Sequence, residues 1–238
     1  MSFFFSDYCY ICQERILPDI SWKALFSLEK ESFICTDCRG KFERIEGEIC
    51  RICSRPFQQI DNPFRDEDVC YDCFRWEEDP EWQGVLEKNT SMFVYNEFLK
   101  SVIAKFKYRG DYMLAKVFSE SFRKKVQGLV VDVFVPIPLS EERLYERGFN
   151  QTEAILIEAG LKPSNILTRI HTEKQSKKSR TERIHLPQVF QLLPNPQIEG
   201  KKILLVDDIY TTGSTLRHAA KLLKQAGAAT IQSITIGR

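Results

Sequence analysis

Apolar residues fall into regular periods only in the second part of the chain, from about Ser91 onward. Over Glu97–Arg109, Phe98, Val102, Ile103 and Phe106 recur at the three- and four-residue spacing of an amphipathic helix. Leu114–Val126 repeats the pattern with Leu114, Val117, Phe118 and Phe122. Leu129–Val135 is a short, nearly continuous apolar run with β-branched residues, which predicts a buried strand. A helix over Asn150–Gly160 is closed by Gly160, and a further strand is expected over Asn165–Ile170. Ile203–Asp207 reads as a buried strand. Ser214–Ala226 reads as a helix with Leu216, Ala220, Leu223 and Ala226 on one face and Gly227 behind it, and Thr230–Ile236 as a strand. Lys174–Arg183 is polar, basic and without period, hence a loop. Strands alternating with helices predict an α/β fold with a mainly parallel sheet.

Residues 1–84 show no such period but hold all eight cysteines, as Cys9/Cys12, Cys35/Cys38, Cys50/Cys53 and Cys70/Cys73. Thiolates two residues apart fold around one metal as a knuckle, and two knuckles complete a four-thiolate site, so four pairs predict two zinc ions. Disulfides do not require this spacing and are disfavoured in a reducing compartment. The segment also repeats itself: C-x-I-C, a spacer, then an apolar residue and C-x-D-C, once over residues 9–38 and again over 50–73. Duplicated units usually close on themselves, so sequential pairing into a double zinc ribbon is favoured over an interleaved one. Four thiolates leave no open coordination position, which makes these centres structural.

The chain has 238 residues, 43% hydrophobic and 28% charged, values of a globular protein. Its net charge of +1 conceals an asymmetry. Residues 1–84 carry 10 Lys and Arg against 18 Asp and Glu, net −8, and residues 85–238 carry net +9. Two domains are expected, a zinc-binding one over 1–84 and an α/β one over 91–238, with anion binding on the second. No window reaches the roughly 18 apolar residues of a spanning helix. Phe3–Phe5 is too short for a signal-peptide core. A cytoplasmic protein without membrane insertion is expected.

The candidate chemistry lies in Leu204-Leu205-Val206-Asp207-Asp208-Ile209-Tyr210-Thr211-Thr212-Gly213-Ser214-Thr215. A buried strand delivers two adjacent carboxylates, and a Thr/Gly/Ser turn then opens a helix. Backbone N–H groups and hydroxyls at the positive end of a helix suit a phosphate. The carboxylates suit sugar hydroxyls or a metal, so the whole describes a ribose 5-phosphate site. Helix capping by Asp208 or Thr211 needs only one such residue.

This segment resembles the signature of type I phosphoribosyltransferases, which bind phosphoribosyl pyrophosphate (PRPP). With the N-terminal zinc ribbons, Val135-Pro136-Ile137-Pro138-Leu139 and Arg147-Gly148-Phe149-Asn150-Gln151, the whole chain resembles the ComF family of competence proteins. The resemblance implies a phosphoribosyltransferase-like parallel sheet flanked by helices. Asp207 and Asp208 would contact the ribose hydroxyls with Mg²⁺ nearby, and Thr211, Thr212, Gly213, Ser214 and Thr215 would hold the 5-phosphate. Arg143 and Arg147 would lie near the pyrophosphate. Arg147 and Asn150 have structural readings too, as an ion-pair partner of Glu142 or Glu146 and as a helix cap. The basic loop, with Gln175, Lys177, Lys178, Arg180 and Arg183, would close over PRPP. Where the family places an asparagine after the arginine, His185 and Leu186 stand here. His218 reads as a surface residue or a partner for its own helix.

Three activities fit. The first, implied by the resemblance, is PRPP binding coupled to the handling of incoming single-stranded DNA in natural transformation. Its partner would be the competence helicase ComFA, and recruitment to the membrane DNA-uptake machinery would follow. The basic stretch Lys100–Lys125, with Phe106 and Tyr108 interleaved, is compatible with a single strand. The second is an active phosphoribosyltransferase of nucleotide salvage or synthesis, and the third a non-catalytic PRPP sensor.

Overall fold

In the computed structural model, residues 8–16, 33–59, 65–108, 111–170 and 189–238 are described. The elements are α1 (Thr36–Gly40), β1 (Arg65–Asp66), β2 (Val69–Cys70), α2 (Tyr71–Glu78), β3 (Lys88–Phe93), α3 (Glu97–Tyr108), α4 (Leu114–Val126), β4 (Val133–Pro136), α5 (Glu141–Arg147), α6 (Gln151–Glu158), β5 (Leu167–Arg169), β6 (Phe190–Leu192), β7 (Lys202–Ile209), α7 (Ser214–Gln225) and β8 (Thr230–Gly237). Strands β3, β8, β7 and β4 pair in that order into one parallel sheet. Its central strands are buried on both faces over Ile203–Val206 of β7 and over residues 233–237 of β8.

Alternation along β7 sorts the two cores. Leu204 and Val206 join α3, α4 and α6, whereas Ile203 and Leu205 join α7. The cysteine-rich segment divides in the same way. Cys9, Ile11, Ile34 and Cys38 share the first core with Met92, Phe93 and Leu99. Cys50, Ile52, Cys53, Cys70 and Cys73 share the second with Leu86, Leu205 and Leu216. One ribbon therefore packs on each face of the sheet.

At β3 a buried polar network replaces apolar packing. Asn89 donates to Ser91 Oγ at 2.8 Å, Ser91 and Thr235 share a bond of 2.8 Å, and Ser233 donates to Asn89 Oδ1 at 2.9 Å. Ser54 Oγ from the second ribbon donates to the Asn89 carbonyl at 2.7 Å. Every partner is buried, so the network is strong only while it stays complete.

Some expectations shift. The strand expected over Leu129–Val135 begins at Val133; Leu129 still belongs to the turn that ends α4, its N–H bonded to the Val126 carbonyl, and Asp132 ties to Lys202 of β7 by accepting its N–H at 2.8 Å. The strand expected over Asn165–Ile170 is β5, which pairs antiparallel with β6 apart from the main sheet. Strand β3 and helix α5 were not anticipated. Six of the seven α5 residues are exposed, so no apolar stripe marks it. It is set instead by Ser140, whose Oγ accepts from the Arg143 N–H, and by left-handed Gly148 behind it. Among the described residues no helix is long and apolar enough to cross a membrane.

Candidate functional site: a diacid, nearby cations and two four-cysteine centres

The cysteines gather as Cys9, Cys12, Cys35 and Cys38, and as Cys50, Cys53, Cys70 and Cys73, with all sulfurs of a group within 4.8 Å of one another. This is the sequential pairing. Sulfurs around a tetrahedral zinc at about 2.3 Å lie about 3.8 Å apart. Cys12 and Cys35 are 3.7 Å apart and Cys53 and Cys70 3.6 Å, so both groups fit the ion. Backbone N–H groups already point at the sulfurs, from Cys38 to Cys35 at 3.4 Å and from Cys70 to Cys50 at 3.3 Å. The two centres differ in setting: Cys12 of the first is exposed, and all four cysteines of the second are buried.

At the carboxyl end of the sheet β7 runs on to Ile209, so both Asp207 and Asp208 lie on the strand. Strand alternation sends them to opposite faces. Asp208 follows Leu204 and Val206 toward α3 and is ion-paired with Lys107. Asp207 lies in the field of Arg169, at the end of β5. Asp207 Oδ1 also accepts from the Asp208 N–H at 2.9 Å. Burial first, and the charge of Asp208 second, push Asp207 up to about 7, against the pull of Lys107 and Arg169. Buried Arg147 feels the Asp208 carboxylate, and the charge of Arg143 reaches both Arg147 and Arg169. The two acids thus lie in the field of Lys107, Arg147 and Arg169, and Arg143 acts on the two arginines.

Beyond β7 the chain turns through Thr211 and Thr212 into α7. Gly213 is the N-cap, with φ +80°, and neither Asp208 nor Thr211 takes that role. A Cβ here would fall 2.2 Å from Tyr210 Oη, so both the conformation and the space demand glycine. The Thr212 hydroxyl accepts from the Ser214 N–H at 3.4 Å, and Thr215 is exposed. The positive end of a twelve-residue helix therefore faces the same edge as the diacid.

The phosphoribosyl transferase domain family matches residues 154–237, and the double zinc ribbon domain family matches residues 1–74. Competence protein ComFC of Bacillus subtilis (strain 168) is 39% identical over 235 residues, covering 97% of this chain and 94% of that protein. The chain belongs to the ComFC family. ComFC of Streptococcus pneumoniae (strain ATCC BAA-255 / R6) is 32% identical over 231 residues, 97% of this chain and 99% of that protein. The DNA utilization protein YhgH of Escherichia coli (strain K12) is 25% identical over 232 residues, 91% and 95% of the two chains.

Asp207, Asp208, Arg147 and the Thr211–Thr215 turn of this ComFC-family chain come together at one sheet edge. Arg147 pairs with neither Glu142 nor Glu146. It donates to Gln151 Oε1 at 3.0 Å, with its guanidinium 5.7 Å from the centre of the Tyr108 ring. Asn150 caps α6 and donates to the Ile137 carbonyl at 2.9 Å, so it joins the β4 turn to that helix. His218 is buried rather than on the surface. It bonds the Ser214 carbonyl one turn back at 2.8 Å and packs 4.7 Å from the Trp82 ring centre. Gln175, Lys177, Lys178, Arg180 and Arg183, with His171, His185 and Leu186, lie outside the described residues. Sequence reasoning passed over Lys107 and Arg169. Each is one basic residue among many, and only tertiary pairing singles it out.

The raised Asp207 has a consequence for stability. An unfolded aspartate titrates near 4, so the fold favours protonated Asp207, an advantage complete below about pH 4 and lost as pH rises through about 7. Above that, the buried charge is a net cost. Asp207→Asn keeps the Oδ1 acceptor and removes the charge. We expect it to stabilise the protein by about 1–2 kcal/mol at pH 8.5, a shift discounted for partial exposure. Little gain is expected at pH 4.5. Denaturant melts at the two pH values check this, and an equal effect at both would contradict it.

Proposed function

We propose that this ComFC-family protein binds PRPP with Mg²⁺ at the carboxyl edge of its sheet and acts in the handling of incoming single-stranded DNA during natural transformation. One observation carries the reading: the diacid of β7 leads directly into the glycine-capped start of α7, in the field of Lys107, Arg147 and Arg169. Asp207 and Asp208 suit the two ribose hydroxyls and the Mg²⁺. The N–H groups and hydroxyls of Thr211–Thr215 suit the 5-phosphate, and Arg143, Arg147, Lys107 and Arg169 suit the pyrophosphate. The basic loop with Gln175, Lys177, Lys178, Arg180 and Arg183 would close over the ligand. The names of the relatives, competence and DNA utilization proteins, support a DNA-uptake setting; in it the helicase ComFA would be the partner, and the protein would work from the cytoplasm beside the membrane uptake machinery. Calorimetric titration with PRPP and Mg²⁺ tests the binding. Pyrophosphate release on adding nucleobases would distinguish a transferase from a binding protein, and no binding of PRPP would overturn the reading.

The single strand would run over the rim of this site. Tyr108, at the end of α3, and Tyr145, on α5, are 77% and 92% exposed; Arg143 is exposed on α5, and the guanidinium of buried Arg147 lies 5.7 Å from the Tyr108 ring centre. Exposed aromatics stack bases while cations track phosphates. Phe106, in contrast, is fully buried and takes no part. Tyr108→Ala with Tyr145→Ala should weaken single-strand binding by roughly 10- to 100-fold at every salt concentration. Arg143→Gln should instead reduce the slope of log affinity against log salt by about 0.7. Fluorescence anisotropy across a salt series separates the two, and affinity unchanged in both variants would exclude this rim.

A further inference from the structure

The back of the Thr211–Thr215 turn is held by side chains that belong to, or touch, the second ribbon. Arg238, which follows β8, donates from one guanidinium nitrogen to the Tyr210 carbonyl at 3.0 Å and to the Thr211 carbonyl. Trp76 Nε1, on α2, donates to the Thr212 carbonyl at 2.9 Å. Three consecutive carbonyls are thus fixed by two side chains. In a trans peptide the N–H points opposite to the C=O of the same plane. Holding the carbonyls of residues 210, 211 and 212 from behind therefore aims the N–H groups of Thr211, Thr212 and Gly213 forward, to where the proposed reading seats a phosphate.

Arg238 also meets the buried centre directly, and Trp76 shares helix α2 with its ligand Cys73. The other terminal nitrogen of Arg238 donates to Cys53 Sγ at 3.2 Å, and its guanidinium lies 4.7 Å from the centre of the Tyr210 ring that packs under Gly213. Trp76 is buried three residues after Cys73, and Arg217 lies 5.2 Å from its ring centre. Arg217, fully buried on α7, ion-pairs with Glu77 of α2 at 2.9 Å. Zinc with four thiolates carries two net negative charges, and a buried centre of that kind needs cations beside it. Arg238 meets that need and in doing so is placed on the turn. Losing the metal removes the anionic acceptor at one end of Arg238, and the hold at the other end loosens. Among the described residues, the first centre, packed with α3 and α4 on the opposite face, has no comparable route to the turn.

We propose that Arg238 and Trp76 are positioning residues that couple the Cys50/Cys53/Cys70/Cys73 centre to the Thr211–Thr215 turn, so that zinc in the centre and a phosphate ester in the turn strengthen each other's binding. The proposal rests on the reading of that turn as a phosphate site. Coupling of this kind is reciprocal, and it is a property that a merely structural role would not produce.

The test uses the intact zinc-loaded protein and ribose 5-phosphate, chosen because the pyrophosphate of PRPP would itself chelate zinc. Zinc release to a chromophoric chelator is followed with and without the sugar phosphate, alongside calorimetry of its binding. Two release phases are expected, with the slower one, from the buried centre, slowed about fivefold or more by ribose 5-phosphate. The faster phase should not respond. Arg238→Met and, independently, Trp76→Phe should abolish the slowing. Trp76→Phe keeps an aromatic ring in place, which guards against a failure of Arg238→Met to fold. Ribose 5-phosphate that binds the wild type without slowing zinc release would overturn the coupling alone. No binding of ribose 5-phosphate or PRPP to the wild type would overturn the phosphate reading and the coupling with it. Slowing that persists in both variants would overturn the roles of Arg238 and Trp76.

Discussion

Asp207→Asn combined with Asp208→Asn is expected to weaken PRPP binding at least a hundredfold while leaving the melting transition close to that of the wild type. The loss follows from replacing charged acceptors, each worth about 1.5–3 kcal/mol in a hydrogen bond, where 1.4 kcal/mol is a factor of ten. The two acids serve opposite faces of β7, so neither can stand in for the other. The near-neutral effect on stability has two opposed sources. Removing the charge of Asp207 relieves a buried carboxylate that the fold pushes up to about 7. Removing Asp208 leaves Lys107, with its side chain only 16% exposed, without its ion-pair partner. Calorimetry and a thermal melt on the double variant decide the matter. Unchanged PRPP affinity would detach the diacid from the site, and a collapsed transition would make its role structural.

Zinc removal is expected to abolish the cooperative unfolding transition of the whole chain rather than of the cysteine-rich segment alone. Metal analysis should first give two equivalents, one for each four-cysteine group. Structural zinc in small domains contributes about 10–16 kcal/mol of apparent folding energy, as much as the total stability of an ordinary domain. The segment has little core of its own, and what it has is shared. Ile11 and Ile34 pack with Leu99 and Phe118, and Ile52 and Val69 with Leu205 and Leu216. Unfolding both ribbons would open both faces of β3 and break the Ser54–Asn89 bond that anchors its polar network. Cys53→Ser should cost more than Cys12→Ser, since Cys53 is buried and meets Arg238, whereas Cys12 is exposed. Circular dichroism during chelator titration checks this, and a sheet that melts normally after both ions are removed would contradict it.

Much of this organisation was legible in the chain, and the rest was hidden for specific reasons. The wide apolar stripes of α3, α4 and α7 and the duplicated cysteine pattern announce themselves because each needs only local spacing. The Asp-Asp-Ile-Tyr-Thr-Thr-Gly-Ser-Thr segment is legible because strand end, turn and helix start are contiguous. Strand β3 is not, because Asn89 and Ser91 occupy its buried positions and are satisfied by side chains on β8 and by the second ribbon. The division of the diacid between two faces was missed because β7 continues past Asp207, where the expected strand ended. Lys107, Arg169, Trp76 and Arg238 acquire meaning only through residues far away in sequence, which no window can supply.

The strand order β3-β8-β7-β4 also sets when the molecule can come together. Strand β8 fills the gap between β3 and β7, so Ser91 meets Thr235 across 144 positions of chain. Closing so long a loop before any contact repays it makes for slow folding, on the scale of milliseconds to seconds. On the ribosome both cysteine groups emerge well before β8 exists. They can take up metal early, but the apolar sides they later hide against the sheet must wait. During that interval the nascent chain would be a pair of metal-loaded ribbons with sticky flanks, and this is the stage at which chaperone binding or aggregation would compete with folding.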